Sequence, residues 1–146
     1  MTRKNLLYTI GFFAFIGLLD AWYLADMALT GGSLTCTLEG LDGCNVVAQS
    51  SYSRLFGQPL ALYGVFFYVF FLITASLAFY KPTRTVDHLI ILLGIGGFAS
   101  SLYFLYVQFV LIQALCVYCL GSAIASTCLL ALAILLKRRG HSLTIP

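Results

Sequence analysis

The stretch LIILLGIGGFASSLYFLYVQFVLIQALCVYCLGSAIASTCLLALAILL, residues Leu89–Leu136, contains no Asp, Glu, Lys or Arg. As one continuous α-helix it would extend roughly 70 Å at about 1.5 Å per residue, over twice the ~30 Å hydrocarbon thickness of a bilayer. It therefore doubles back near its middle, around Leu111–Leu115, and makes two membrane helices. No Gly or Pro marks that turn, so its edges are set by length alone.

Working outward, two more apolar runs precede it. One extends from Leu6 to Leu29 and is interrupted by Asp20 and Asp26; the other extends from Leu55 to Tyr80 without a charge. The chain of 146 residues is 61% hydrophobic and 9% charged, against roughly 25% charged for a soluble domain, which excludes a water-exposed surface. The fold class expected is an all-α integral membrane protein, a bundle of four transmembrane helices at about 6–29, 59–80, 86–111 and 116–136. These make one domain over residues 1–146, with an outer loop at 30–58 and no internal repeat or long linker.

Seven of the eight Lys and Arg residues (Arg3, Lys4, Lys81, Arg84, Lys137, Arg138 and Arg139) fall in alternate connections, on one side of such a bundle. The positive-inside rule makes that side cytoplasmic, with both termini inside. The 30–58 loop and the 111–115 turn then face outwards. The net charge of +3 forms no basic patch with polar or aromatic spacing, so no nucleic-acid partner is expected. The first apolar run, about 24 residues, exceeds a signal-peptide core and reads as a retained helix. No lipidation signal stands at either end.

The cysteines carry the chemistry. Cys116-Val-Tyr-Cys119 opens the last apolar segment with the spacing most used for reversible thiol–disulfide exchange. On a helix the two thiols share a face. In a first turn, the unpaired N–H groups and the helix dipole favour the thiolate. Cys119 lies about 4.5 Å further along the axis, nearer a lipid-soluble acceptor. Cys36 and Cys44 sit in the outer loop with Gly40, Asp42 and Gly43 between them, residues suited to a turn. Both pairs fall on the side where disulfides persist. A structural loop staple and a four-cysteine zinc site are the competing readings of the residues; the zinc site is disfavoured by the wide spacing of the first pair. Cys128, alone near mid-membrane, reads as a small packed hydrophobe.

The chain resembles the vitamin K epoxide reductase family in its bacterial disulfide-forming branch. The resemblance rests on Cys36, Cys44 and Ser50, on Asn45–Gly64 reading NVVAQSSYSRLFGQPLALYG with its Gly-x-Pro step into the second helix, and on Cys116-Val-Tyr-Cys119. It implies a thiol–quinone oxidoreductase supporting disulfide formation. Cys36 accepts electrons from a thioredoxin-like (DsbA-like) partner and Cys44 passes them to Cys116. Cys119 reduces a membrane quinone (ubiquinone, menaquinone or a vitamin K-type quinone), and Ser50 is the hydroxyl beside it. The implied place is a bacterial inner membrane, with the active cysteines on the extracytoplasmic side and membrane lipid around the bundle. Vertebrate members carry a Tyr where this chain has Ala123 and an Asn where it has Leu60, both associated with the naphthoquinone head group, which argues against vitamin K epoxide as substrate. Some bacterial members carry a fused thioredoxin domain. Here the chain ends at Pro146, and a separate partner is expected.

Other features are discounted or kept open. Gly94–Ala99 matches a dinucleotide fingerprint in letters only, since that motif needs a strand and a βαβ unit; close helix packing is the reading. His88 and His141 are too far apart to suggest a metal site. Tyr63, Tyr103, Tyr106 and Tyr118 are candidates for a quinone pocket, and Gln108 and Gln113 for hydrogen bonds between helices. Asp20, an ionisable residue within a span, is a candidate proton relay because quinone reduction consumes two protons. The other four-helix quinone-linked thiol oxidase family places its Cys-x-x-Cys in the first outer loop, the reverse of the order here. A non-enzymatic bundle with two inert disulfides is the alternative from another class, and a vitamin K epoxide or quinone reductase proper is the alternative among enzymes.

Overall fold

The computed structural model describes residues 2–36 and 43–142, with side chains to residue 138. Helix α1 spans Arg3–Thr30. It is followed by a short helix α2, Cys44–Gln49, a 3-10 turn at Ser51–Ser53, and the strands β1, Arg54–Leu55, and β2, Gln58–Pro59. Helix α3 covers Leu60–Tyr80, and α4 covers Arg84–Tyr106 and continues as a π-helical turn over Val107–Ile112. Helix α5 covers Val117–Ser142. Four of these helices are long and apolar enough to cross a membrane: Arg3–Thr30, Leu60–Tyr80, Arg84–Ile112 and Val117–Arg138.

Local signals explain the boundaries. The Thr2 hydroxyl accepts from Asn5 N–H at 3.3 Å, and that of Thr83 from Val86 N–H at 3.4 Å, so both α1 and α4 have side-chain N-caps. Helix α1 ends at Gly31, whose φ of 72° is the left-handed conformation that closes helices, and Gly32 N–H returns to Met27 O. β1 and β2 pair antiparallel, Arg54 opposite Pro59, around Phe56 and Gly57 with φ of 51° and 81°. Two central residues with positive φ are the two-residue hairpin turn whose twist suits its strands. Pro59 then caps α3.

The helices pack in a ring, α1 against α3 and α5, and α4 against α3 and α5. The interior is made of small residues, including Ala14, Ala21, Ala25, Ala75, Ala78 and Ala133, with Leu6, Ile10, Phe71, Ile90 and Leu129 between them. Large apolar side chains such as Phe12, Trp22, Phe66, Leu92 and Ile124 face outwards. Lipid gives apolar groups no reason to hide, whereas small residues let helices approach closely. Gly94 and Gly97 serve that approach: a Cβ on Gly94 would stand 3.1 Å from Leu130 Cα, and one on Gly97 2.6 Å from Phe67 Cζ.

The fold-back of the charge-free stretch is where its length requires it. Gln113, with φ of 57°, reverses the chain without a glycine, and residues 113–115 are non-helical. Helix α5 starts at Val117, one residue after the expected start at Cys116, because Cys116 stands at the cap position. Its carbonyl accepts from Leu120 N–H at 3.0 Å and its sulfur from Cys119 N–H at 3.4 Å. A thiol here does the work that a Ser or Asp side chain does at most helix starts. At the opposite end of the bundle Arg3 binds both oxygens of Asp87, at 3.0 and 2.8 Å, tying the start of α1 to that of α4.

Candidate active site

The cysteines meet at the end of the bundle where the α1–α3 and α4–α5 connections lie. Cys44 and Cys116 are both fully buried and share a small apolar cluster with Leu34, against which Cys36, Cys119, Tyr23 and Tyr118 pack. Cys36 and Cys44 form a disulfide, with Cα atoms 6.5 Å apart, while Cys116, Cys119 and Cys128 are thiols. Of the turn residues expected between Cys36 and Cys44, Gly40 and Asp42 lie outside the described residues. Gly43 is the one whose smallness counts. A Cβ there would stand 2.7 Å from Ala114 Cβ and 2.9 Å from Leu115 N and O. Only glycine lets the start of α2 lie directly on the turn that precedes Cys116, and this contact brings Cys44 and Cys116 into one cluster.

Hydrogen bonds hold the two cysteine-bearing segments in place. Asn45 clamps the backbone of Leu34 from both sides, accepting from its N–H at 2.8 Å and donating to its carbonyl at 3.0 Å. Tyr118, inside the Cys-x-x-Cys, donates to Thr35 O at 2.9 Å, and its ring packs on that of Tyr23, whose hydroxyl lies 3.3 Å from Thr35 Oγ1. The residue just before Cys36 is thus tied to the one just before Cys119. Gln108, buried in the π-helical turn, accepts the backbone N–H of Cys116 at 2.9 Å. A π-turn shifts side chains by one position relative to a regular helix, and here it aims an otherwise costly buried amide at the one N–H it satisfies.

These contacts set the thiol chemistry. The hydrogen bond from the Cys119 thiol, assisted by the backbone N–H groups of Cys119 and Tyr118, lowers the Cys116 pKa from 9.0 to about 7. Burial and the negative field of Asp20 oppose that shift without cancelling it. A helix N-terminus does for this sulfur what it does for any anion, and the thiolate is the form that attacks a disulfide.

Below the cysteines the bundle is hollow. A cavity of about 990 Å³ is lined by Cys44, Cys116 and Cys119 together with Ser50, Asp20 and Tyr68. Its size is at the upper end of the ~300–1,000 Å³ typical of small-molecule sites. Aromatic and aliphatic walls with a few hydroxyls fit a ring carrying two carbonyls, and Cys119 is the half-buried sulfur of its pair. Ser50 is on the wall, with its hydroxyl donated to Val47 O at 2.7 Å. To serve a carbonyl in the cavity, that proton must leave Val47. Of the tyrosines singled out from the sequence, Tyr63 and Tyr103 line the cavity, Tyr118 supports the cysteine cluster and Tyr106 faces outwards, while Tyr68, which periodicity did not single out, lines it as well. Leu60 and Ala123 also line it, so the two departures from the vertebrate pattern fall on the cavity wall.

A buried cysteine at a helix cap, a second thiol one turn deeper, a loop disulfide packed against them and a cavity within a membrane bundle define a membrane thiol oxidoreductase. Residues 8–134 match the sequence model of the Vitamin K epoxide reductase family, and the chain belongs to that family. A search of curated proteins gives no match. Membership makes this an integral membrane oxidoreductase of thiols that uses quinones as electron carriers.

Proposed function

We propose that the protein oxidises a thioredoxin-like dithiol partner on the extracytoplasmic side of a bacterial inner membrane, and passes the electrons to a membrane quinone in support of disulfide formation. The partner's thiolate attacks Cys36, and its second thiol resolves the mixed disulfide, leaving Cys36 and Cys44 as thiols. Cys44 attacks a Cys116–Cys119 disulfide at Cys116, and Cys36 resolves that bond. This restores the Cys36–Cys44 disulfide and leaves two thiols at Cys116 and Cys119. Those thiols give two electrons and two protons to the quinone as their own disulfide re-forms. A disulfide at the loop pair with thiols at 116 and 119, the arrangement observed, is the stage just before electrons leave for the quinone.

The observation that carries this reading is that Cys44, Cys116 and Cys119 stand on the wall of one cavity. Inert staples need no such meeting of two pairs. Leu60 and Ala123 stand on that wall where vertebrate members carry the Asn and Tyr associated with the naphthoquinone head group, which argues against vitamin K epoxide as the substrate. The alternation of Lys and Arg along the chain supports an orientation with the cysteines outside and both termini in the cytoplasm. Residues 1–146 are proposed to act as a single membrane domain.

The test is purified protein supplied with a quinone and a reduced thioredoxin-like protein. Quinone-dependent thiol oxidation is expected, abolished by Cys116→Ala and impaired by Cys36→Ala. Full activity in either variant would sink the relay.

A further inference from the structure

Asp20 is the only carboxylate among the described residues lining the cavity, and Arg54, at its mouth, is the only cation among them. One oxygen of Asp20, Oδ2, is buried and has no hydrogen-bond partner among the described residues. A buried acceptor left unsatisfied is a standing cost, and an ionisable group inside a membrane span is retained where it meets a polar ligand or moves a proton.

Its surroundings suit a proton. Gly17, one turn before Asp20 on the same face of α1, has no Cβ because Cε1 and Cζ of Tyr68 occupy that space. The phenol end of Tyr68 is thereby laid on α1 beside Asp20. Across the bundle the Tyr68 hydroxyl is 2.8 Å from Ser122 Oγ, and Ser122 is one turn beyond Cys119 on α5. Carboxyl, phenol, hydroxyl and thiol thus succeed one another around one wall of the cavity, contributed by α1, α3 and α5. A hydroxyl is able both to donate and to accept, as a proton path requires.

We propose that Asp20 is the proton donor to the oxygen of the quinone reduced at Cys119, with the Tyr68–Ser122 hydroxyl pair returning a thiol proton to it. This rests on the function proposed above. Two thiols become one disulfide and release two protons and two electrons; the acceptor takes up both. The carboxyl of Asp20 delivers one proton as the electrons arrive and recovers one released by the thiols, ending as it began. The titratable groups that feel its charge are Tyr68 on α3, Cys116 before α5, and Tyr118 and Cys119 on α5. Tyr103 of α4 lines the far side of the cavity.

The test compares Asp20→Asn and Asp20→Glu with the wild type, using a decyl-substituted benzoquinone and a reduced thioredoxin-like protein. Asp20→Asn should lower kcat on the order of a hundredfold, the usual contribution of a positioned acid, leaving the KM for the dithiol protein unchanged. The alkaline fall in rate that marks a proton donor should vanish with it, and Asp20→Glu should restore most of the rate. Exchange at Cys36–Cys44 reports that each variant has folded. Independently of turnover, difference infrared spectra of the wild type should show a carboxyl band that shifts when the benzoquinone is added and is missing in Asp20→Asn. Wild-type kcat and pH profile in Asp20→Asn, or an unshifted band, overturn the assignment while leaving the relay standing. A wild type that exchanges thiols yet reduces no quinone brings down both.

Discussion

The two ends of the bundle are built differently. At the end holding Arg3 and Asp87, regular helices meet through an apolar core around Leu6, Ile10, Ile90 and Leu136, closed by one bidentate ion pair. At the cysteine end the backbone breaks into a six-residue helix, a 3-10 turn, a two-stranded hairpin and a π-helical turn around a cavity. Irregular backbone is tolerated at a membrane only where its polar groups find partners, and here Asn45, Gln108, Ser53 and Tyr118 each bond to main chain. The difference teaches that one half supplies rigidity and the other supplies chemistry, so perturbations should separate cleanly.

The strongest break in that comparison is Cys119→Ser, which should abolish quinone-dependent thiol oxidation while thermal unfolding stays near wild type. Next is pH. Because the Cys116 pKa is lowered to about 7, its thiolate prevails above that value, and its alkylation rate, followed by peptide mapping, should fall about tenfold for each pH unit below it. Cys119→Ala should move that midpoint upwards, since the Cys119 thiol is the largest cause of the shift. Gln108→Leu leaves the Cys116 N–H unsatisfied, and turnover should drop roughly tenfold, in line with the ~1–3 kcal/mol cost of a stranded buried donor. Tyr118→Phe removes the bond to Thr35 O, and stopped-flow transfer from the loop pair to Cys116 should slow about threefold, as for a neutral hydrogen bond worth ~0.5–1.5 kcal/mol. At the other end, Asp87→Asn should lower stability by about 1.5–3 kcal/mol in a detergent unfolding series, with thiol oxidation at permissive temperature unchanged.

Much of the rigid half was legible in advance. Charge-free runs longer than a bilayer is thick admit only spanning helices, and the excess length of Leu89–Leu136 demands a reversal, which Gln113 makes. The reversal's edges were less legible because a left-handed Gln leaves no compositional mark, and the start of α5 shifted by one residue because sulfur caps it. At the reactive end the cysteine spacing pointed to exchange chemistry, and the family resemblance singled out Ser50, which the structure puts on the cavity wall. Nothing in the residue pattern marked Tyr68 or Ser122, whose importance comes from each other across 54 positions, and Asn45 stood only as the first residue of the stretch that carries the resemblance. Gln108 was visible only as a polar residue in an apolar run; its partner, the Cys116 N–H, depends on the π-turn.

By itself, then, the sequence determined the number of spanning helices, the gathering of seven of the eight Lys and Arg at alternate connections and the presence of two cysteine pairs, because hydropathy and residue type are local properties. Only the tertiary structure decided that Gly43 lies on Leu115, that Cys44 is buried with Cys116, and that a hollow beneath them holds Asp20. Those facts follow from how closely separate helices and loops can approach, and no local pattern records that distance.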